Sequence, residues 1–382
     1  MAGPVPIPAE LPTPPAPIPA NPPTAVTAFI DFFSTGLINT PTPITSFFAF
    51  EQTFGGLDSR SEASYQIQQF FNTGGQEAVV LRTAPEPSTA PFAPALTSAL
   101  TNLTIPFNLL CIPATSNLAP TEGHAVMLAA QAFCSTHRAF YIADIPPSKI
   151  IASPSTIEAW FANTGLTSRD CAAIYYPRLT IHDPLRENVL REIGYSGAVA
   201  GIYANIDSAR GVWTAPAGAN AIIPSATPIF AIDDAANGQL NALAINPIRA
   251  FPTYGTVLWG ARTTAGANTS DSDYKYVNIR RLAIYIEQSL YVGLQWVVFE
   301  PNNPTLWASI RLAVSAFLTK LWQQGALQGS QPQQAFFVKC DATTMTQTDV
   351  DNSRLNIQIG FAPLRPAEFI ILTIGLLTAR HP

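Results

Sequence analysis

Few residues in this sequence could do chemistry, and the most suggestive pair is a cysteine and a histidine one helical turn apart. Cys134 and His137 lie in a stretch with helical periodicity, so both side chains could face one side of a helix and offer two ligands to a metal ion. Zinc needs three or four ligands in the correct geometry, and the sequence supplies no partner pair. We therefore expect no metal site.

A second candidate is a serine flanked by glycines at residues 194–198, Gly-Tyr-Ser-Gly-Ala. It resembles the turn that carries the nucleophile of α/β-hydrolases, but the second glycine of that motif is missing, and His182 and Asp183 precede the serine in the wrong chain order. The glycine pairs Gly55-Gly56 and Gly74-Gly75 are typical of helix ends and fit neither common phosphate-binding loop. We expect no catalytic site, no cofactor and no enzymatic activity.

The four cysteines are Cys111, Cys134, Cys171 and Cys340, and their spacing matches no zinc or redox pattern. Each lies in an apolar stretch, which is typical of buried free thiols.

Charge is scarce in this chain of 382 residues, which is long enough for two domains. Charged residues make up 12%, about half of the usual quarter, and apolar residues make up 47%. Either uncharged polar side chains cover much of the surface, or much of the surface is buried against other chains, and we favour the second. The net charge of −5, without a basic run, argues against nucleic acid as the main partner.

The N-terminus lacks the basic start and apolar run of a signal peptide. The longest apolar segment, 369–377, is far shorter than the roughly 20 residues that cross a bilayer. We therefore expect cytoplasmic folding and assembly, without direct membrane insertion.

Ten of the 35 prolines lie in residues 1–24. Proline fixes φ and removes a backbone donor, so this segment should be an extended arm rather than a helix or an inner strand. A disordered tail is the alternative.

Short apolar runs alternate with segments of helical periodicity over most of the chain, which indicates an α/β fold. The predicted strands are 24–30, 78–81, 105–112, 139–142, 296–299, 336–340, 355–359 and 368–377, and the predicted helices are 46–54, 63–71, 124–137, 276–290 and 304–324.

The helix over 304–324 has the sharpest pattern. Asn303-Pro304 is a helix start with a capping side chain and a proline at the first position, and Gly325 is the expected C-terminal glycine. Apolar residues recur along one face of this helix, at Leu306, Ile310, Ala313, Phe317 and Leu321.

Several motifs of the last third resemble those of phage tail sheath proteins, in the order of that family. They are FPTYGTVLWGART at 251–263, YVNIRRL at 276–282, QWVVFEPN at 295–302 and PLRPAEF at 363–369. Near the N-terminus, 47–57 and 70–82 resemble two further family segments. The resemblance covers roughly 25–82 and 245–378. The middle, about 83–240, matches no motif of the family, and the proline-rich arm replaces the strand with which the family usually starts.

The resemblance implies a two-domain α/β subunit. Residues 25–244 would form an outer variable domain, and residues 245–382 an inner conserved domain whose C-terminal strand arm starts at about 363. Such subunits stack as sixfold rings around an inner tube, and contraction of the metastable lattice drives the tube through a target membrane. The implied partners are further copies of the chain, the inner tube protein, and baseplate and cap proteins.

Two other functions stay open at this point. The chain could be a baseplate or cap component related to sheath. It could also be a soluble α/β enzyme or carbohydrate-binding protein whose site lies in the unmatched middle.

Three contacts are expected from these motifs. Arg311 and Lys320, on the helix over 304–324, should meet acidic groups of the inner tube. Of Arg280 and Arg281, one should form an ion pair within the chain, with Asp341 or Glu300 as expected partners, and the other a contact between subunits. The C-terminal strand, apolar on both faces, should pair with the sheet of a neighbouring subunit through Phe369, Ile370, Ile371, Leu372 and Ile374.

Overall fold

The computed structural model describes residues 18, 22–84, 92–352 and 354–366. Its strands are β1 Thr27–Asp31, β2 Thr42–Ile44, β3 Ala78–Arg82, β4 Leu109–Cys111, β5 Phe140–Ala143, β6 Ala172–Tyr176, β7 Leu179–Asp183, β8 Val189–Ile193, β9 Thr227–Pro228, β10 Ile245–Phe251, β11 Gly255–Leu258, β12 Phe336–Lys339 and β13 Gln358–Phe361. Its helices are α1 Phe47–Phe54, α2 Glu62–Asn72, α3 Phe92–Leu100, α4 Pro120–His137, α5 Pro154–Ala162, α6 Ser196–Arg210, α7 Asp234–Ala242, α8 Val277–Gly293, α9 Pro304–Gln323, α10 Pro332–Ala335 and α11 Gln347–Asp351. The predicted α/β class is confirmed.

An eight-stranded sheet dominates the structure, in the order β11-β10-β6-β5-β4-β1-β3-β2. The six strands from β10 to β3 run parallel, and an antiparallel strand closes each end. Because helices cover both faces, β1, β4, β5 and β6 are buried along their whole length, which explains why they are continuous apolar runs in the sequence. We call this sheet and its helices the sheet body.

The helix starts follow the sequence closely. The side chains of Ser46, Ser61, Ser153, Asp233 and Asn303 each accept a hydrogen bond from the backbone N–H three residues later. Asn303 begins α9 as predicted, and Gly325, with φ of 80°, follows its end.

Helices α2 and α6 lie against each other on one face of the sheet. At Gly197, near the start of α6, an added Cβ would collide with the backbone carbonyl of Gln66 on α2. The two backbones can approach this closely only because position 197 has no side chain.

A second apolar core lies between α8, α9 and the antiparallel hairpin of β12 and β13, and we call this part the C-terminal body. All five predicted core positions of α9 are buried in it. This second core is thus separate from the core of the sheet body.

The large sheet extends past the predicted domain boundary at residue 244. β10 pairs with β6 in parallel, and Ile245 and Ile248 belong to the core of the sheet body. The C-terminal body therefore starts later, with α8, and the motif at 251–263 lies largely in the sheet body.

The buried strand predicted at 296–299 is wrong. Helix α8 is followed directly by a 3-10 turn at Gln295–Val297, and Phe299 has a φ of 72° and is fully exposed. A run of four apolar residues cannot by itself distinguish a buried strand from a turn at the surface.

Residues 1–17, 19–21, 85–91, 353 and 367–382 lie outside the described part of the chain, which includes most of the predicted proline-rich arm and all of the C-terminal strand over 368–377. Among the residues that are described, no helix is both long enough and apolar enough to cross a bilayer.

Candidate interaction surfaces

The joint between the two bodies is a buried ion pair. Arg281 on α8 donates to both carboxylate oxygens of Asp207 on α6, over 2.9 and 2.5 Å, and both side chains are almost completely buried. The guanidinium also lies over the ring of Tyr203, 4.7 Å from its centre. A bidentate pair with an aromatic face beside it holds α8 in one orientation against α6.

Arg280 points to another neighbour. Its guanidinium lies 3.2 and 3.3 Å from the sulfur of Cys171, and it pairs with Asp170 at 3.6 Å and Glu287 at 3.4 Å. Burial raises the pKa of the Cys171 thiol to about 11, although the cation opposes this shift, so the thiol stays protonated.

Both arginines therefore have acidic partners within the chain, and the contact between subunits that was expected for one of them stays a prediction. The expected partners are also wrong. Asp341 accepts hydrogen bonds from Thr343, and Glu300 is exposed in the turn after α8. The true partner of Arg281 is 74 residues away in sequence, and no local pattern indicates it.

Arg311 and Lys320 lie on opposite flanks of α9. They are nine positions apart, which is two and a half turns, so they are separated by about 180° around the helix axis. Arg311 is half-buried and donates to the backbone carbonyl of Cys340, whereas Lys320 is exposed. The two cations do not form one charged surface.

The hairpin of β12 and β13 has a one-sided core. Phe336, Val338, Ile359 and Phe361 pack against the C-terminal core, while Phe337 on the other face is half exposed. Within the described ranges no third strand joins this hairpin. Its outer edges carry backbone groups that could pair with another strand.

Four apolar side chains form an exposed set at the end of α8 and in the turn that follows. They are Tyr291, Val292, Val298 and Phe299, and each exposes more than half of its surface. Large apolar side chains clustered in this way are typical of surfaces that contact another molecule.

The sheet body contains a buried polar cluster where the parallel strands end. Asp144, just after β5, accepts backbone N–H groups from Tyr195 and Ser196 at the start of α6, and lies 2.6 Å from the Ser196 hydroxyl. Burial, with the nearby charge of Glu62, raises the pKa of Asp144 to about 6. Asp31, at the end of β1, accepts from Phe32 and Ala63, and burial raises its pKa to about 8.

The charges around this cluster are paired with one another. Buried Arg178 lies 2.6 Å from Glu62 and 2.8 Å from Glu192. The Ser196 hydroxyl faces Asp144 and Gln66 and is buried, and His182, on β7, faces the carbonyl of Asn188 instead. The cluster ties β1, α2, β5 and α6 together, and it contains no Ser-His pair.

All four cysteines are free and buried, as predicted. His137 stacks on Phe133 and faces its backbone carbonyl. Over the described residues, no three histidine, cysteine or acidic side chains come together as a metal site would require.

Comparisons with known proteins agree on one family. Residues 269–376 match the model of the phage tail sheath C-terminal domain. A tail sheath protein of Burkholderia phage BcepMu is 29% identical over 168 residues, which are 43% of this chain and 35% of that protein. That match thus spans about a third of the relative's own length.

Solved structures match over nearly the whole chain. The contracted sheath complex of PVC, an extracellular contractile injection system, superposes with a TM-score of 0.79 and 29% identity, covering 98% of each chain. The contracted helical sheath of the anti-feeding prophage gives 0.77 and 28%, covering 98% of this chain and 99% of the other. The last third of the chain thus matches the phage tail sheath C-terminal domain, and nearly its whole length has the fold of contractile sheath subunits.

Proposed function

We propose that this chain is the structural subunit of the contractile sheath that surrounds the inner tube of a phage tail or a phage-tail-like injection system. The observation that carries this proposal is the likeness to the PVC sheath, which extends over 98% of both chains and so includes the middle region that matched no motif. Contraction of the helical lattice would drive the tube through a target membrane.

The lattice itself is the source of free energy in this proposal, and the chain has no enzymatic role. The buried acidic, serine and arginine side chains of the sheet body form hydrogen bonds and ion pairs with one another, which supports a structural function for them. Copies of the chain would form sixfold rings, with the inner tube protein and the baseplate and cap proteins as further partners.

Contacts between copies would be made largely by the C-terminal body. Its hairpin of β12 and β13 has open edges, and its exposed apolar set lies nearby in sequence. We propose that residues 369–377 of one copy add a strand to a neighbour, with Phe369, Ile370, Ile371, Leu372 and Ile374 as the contacting residues. Among the two arginines, Arg280 is the better candidate for a contact between subunits, because Arg281 is buried in the joint.

The inner tube would lie against the exposed side of α9. Lys320 is the better candidate for an acidic partner on the tube, because its side chain reaches solvent, whereas Arg311 is held by Cys340. A single exposed ion pair contributes about 0–1 kcal/mol, but the contact is repeated in every copy.

Assembly gives the direct test. The chain is produced with the tube protein that accompanies it and is imaged by negative-stain electron microscopy. We expect striated tubes built from sixfold rings. Dispersed particles of 41.0 kDa under every condition would contradict the proposal.

A further inference from the structure

Two described residues before β1, Ile18 and Thr24, are held in different bodies. Ile18 is 7% exposed and belongs to the apolar core of the C-terminal body, together with Val212 and Leu290. Thr24, six residues later, stands at the start of the sheet body. This short segment is held by two different kinds of contact.

The first contact is polar and acts on Thr24. Its hydroxyl donates to Asp207 Oδ2 over 2.6 Å, and its backbone carbonyl accepts from Arg281 over 3.0 Å. The buried ion pair of the joint therefore binds the main chain of the N-terminal segment in addition to joining α6 and α8. Because Arg281 contacts the backbone carbonyl of Thr24, this part of the contact does not depend on the side chain of residue 24.

The second contact is steric and acts on Ile18. Gly293 is the last residue of α8, and a Cβ added there would lie 2.7 Å from Ile18 Cγ2 and 3.0 Å from its Cβ. Real Cβ atoms are not found so close to other atoms, so Ile18 occupies space that exists because position 293 has no side chain.

The chain's other end is held by the same helix. Asn278, three residues before Arg281 and so on the same face of α8, donates to the carbonyls of Trp213 over 2.9 Å and Leu364 over 3.3 Å. Leu364 lies two residues before the last residue that the structure describes.

We infer that α8 is an anchor for the chain near both of its ends, with Gly293 and Arg281 holding the N-terminal segment at Ile18 and Thr24, and Asn278 holding the C-terminal segment at Leu364. The partner of this surface is the chain's own terminal segment. The inference concerns the single folded chain, and it stands whether or not the chain assembles into a sheath.

A disulfide tests the position of Ile18 directly. Ile18→Cys and Gly293→Cys are introduced together, the protein is oxidised, and the linked peptides are identified by mass spectrometry. Equal amounts of light and heavy isotope-labelled chains are mixed before folding. We expect the two cysteines to link within one chain, so that linked peptides carry one isotope only. Links that join light to heavy peptides, or no link in the folded protein, would overturn the anchor.

The matched control pairs Ile18→Cys with Gly238→Cys. Gly238 is also a helical glycine, and a Cβ there meets no atom within 4 Å, so it does not touch Ile18. We expect no 18–238 link under the same conditions. Equal linkage in both variants would mean that residue 18 moves freely, which would also overturn the anchor.

A thermal series covers the case in which the double cysteine variant fails to fold. Gly293→Ala should lower the melting temperature, because the new methyl displaces Ile18, whereas Gly238→Ala should raise it or leave it unchanged, since alanine favours a helix. An Ile18→Ala background removes the two closest atoms, Cγ1 and Cγ2, so Gly293→Ala should lower the melting temperature less there than in the natural protein. Additive effects of the two substitutions would contradict a contact between Ile18 and Gly293.

Discussion

The sheet body and the C-terminal body differ in how their strands are covered. The sheet body covers six parallel strands with helices on both faces and ends in the short antiparallel strands β2 and β11. The C-terminal body has a two-stranded hairpin packed on one side only, and it carries the exposed set of Tyr291, Val292, Val298 and Phe299. The strands of the first are covered by its own helices, whereas the second has strand edges and apolar side chains that another chain could cover.

The joint between the two bodies should be the site of the largest effect on stability. Arg281→Ala leaves the Asp207 carboxylate buried without its partner, which costs about 3–5 kcal/mol. Arg280→Ala is the control, because its pairs are longer and partly exposed, and it should cost about 1 kcal/mol or less. Urea unfolding of the two variants measures both values.

Replacing both partners of the joint tests whether the loss comes from the unpaired charge. Arg281→Met combined with Asp207→Leu removes both charges and should recover most of the lost stability. Equal losses for Arg280→Ala and Arg281→Ala would contradict the assignment of the joint to Arg281.

The buried carboxyl at the end of β1 should make the sheet body sensitive to pH. The pKa of Asp31 rises from 3.8 to about 8 on folding, so the folded state holds its proton where the unfolded chain has lost it. The contribution of Asp31 to the unfolding free energy is complete below pH 4. It declines as the pH rises to 8, on the order of 1 kcal/mol per pH unit.

Asp31→Asn isolates this contribution because asparagine does not titrate. The difference in unfolding free energy between the natural protein and the variant should shrink from pH 5 to pH 8, as measured by urea unfolding at each pH. A constant difference over that range would show that Asp31 is ionised in the folded state.

Substitutions at the two cations of α9 should have different effects, on folding at Arg311 and on tube contact at Lys320. Arg311→Glu removes the hydrogen bond to the Cys340 carbonyl. It should lower the unfolding free energy by about 1–3 kcal/mol, and with it the melting temperature. Lys320→Glu should leave the melting temperature unchanged and reduce the amount of sheath bound to tubes, and Lys320→Gln should have a smaller effect on binding. Normal sheath formation by Lys320→Glu would rule out this tube contact.

The exposed apolar set should matter for assembly alone. Phe299→Ser should change the unfolding free energy by less than about 0.5 kcal/mol, because the ring touches little of its own chain. It should nevertheless reduce tube formation in electron micrographs. Phe48→Ser, at another exposed ring, on α1 of the sheet body, is the control, and equal effects of the two would remove the distinction between the bodies.

Local patterns were sufficient for the parts of the fold that local physics determines. The continuous apolar runs of β3 and β5, the cap at Asn303 and the buried face of α9 each depend on residues within one element. The run at 296–299 has the composition of a buried strand, but composition does not supply a neighbouring strand, and the chain forms a 3-10 turn there.

The joint and the anchor depend on pairs that are far apart in sequence. Arg281 meets Asp207 and Thr24 across 74 and 257 residues, and no spacing rule joins them. The pairing of β10 with β6 across residue 244 likewise cannot be deduced from either strand alone. The predicted strand over residues 369–377 lies outside the described part of the chain and stays a prediction.

Truncation tests most directly the claim that the C-terminal body is completed by another chain. A chain without residues 367–382 is compared with the full chain by circular dichroism, by sedimentation and by electron microscopy after incubation with the tube. We predict a folded, soluble subunit with an unchanged melting temperature that forms no striated tubes. A truncated chain that cannot fold as a monomer would show that the segment belongs to its own core, and one that still forms tubes would show that assembly does not need it.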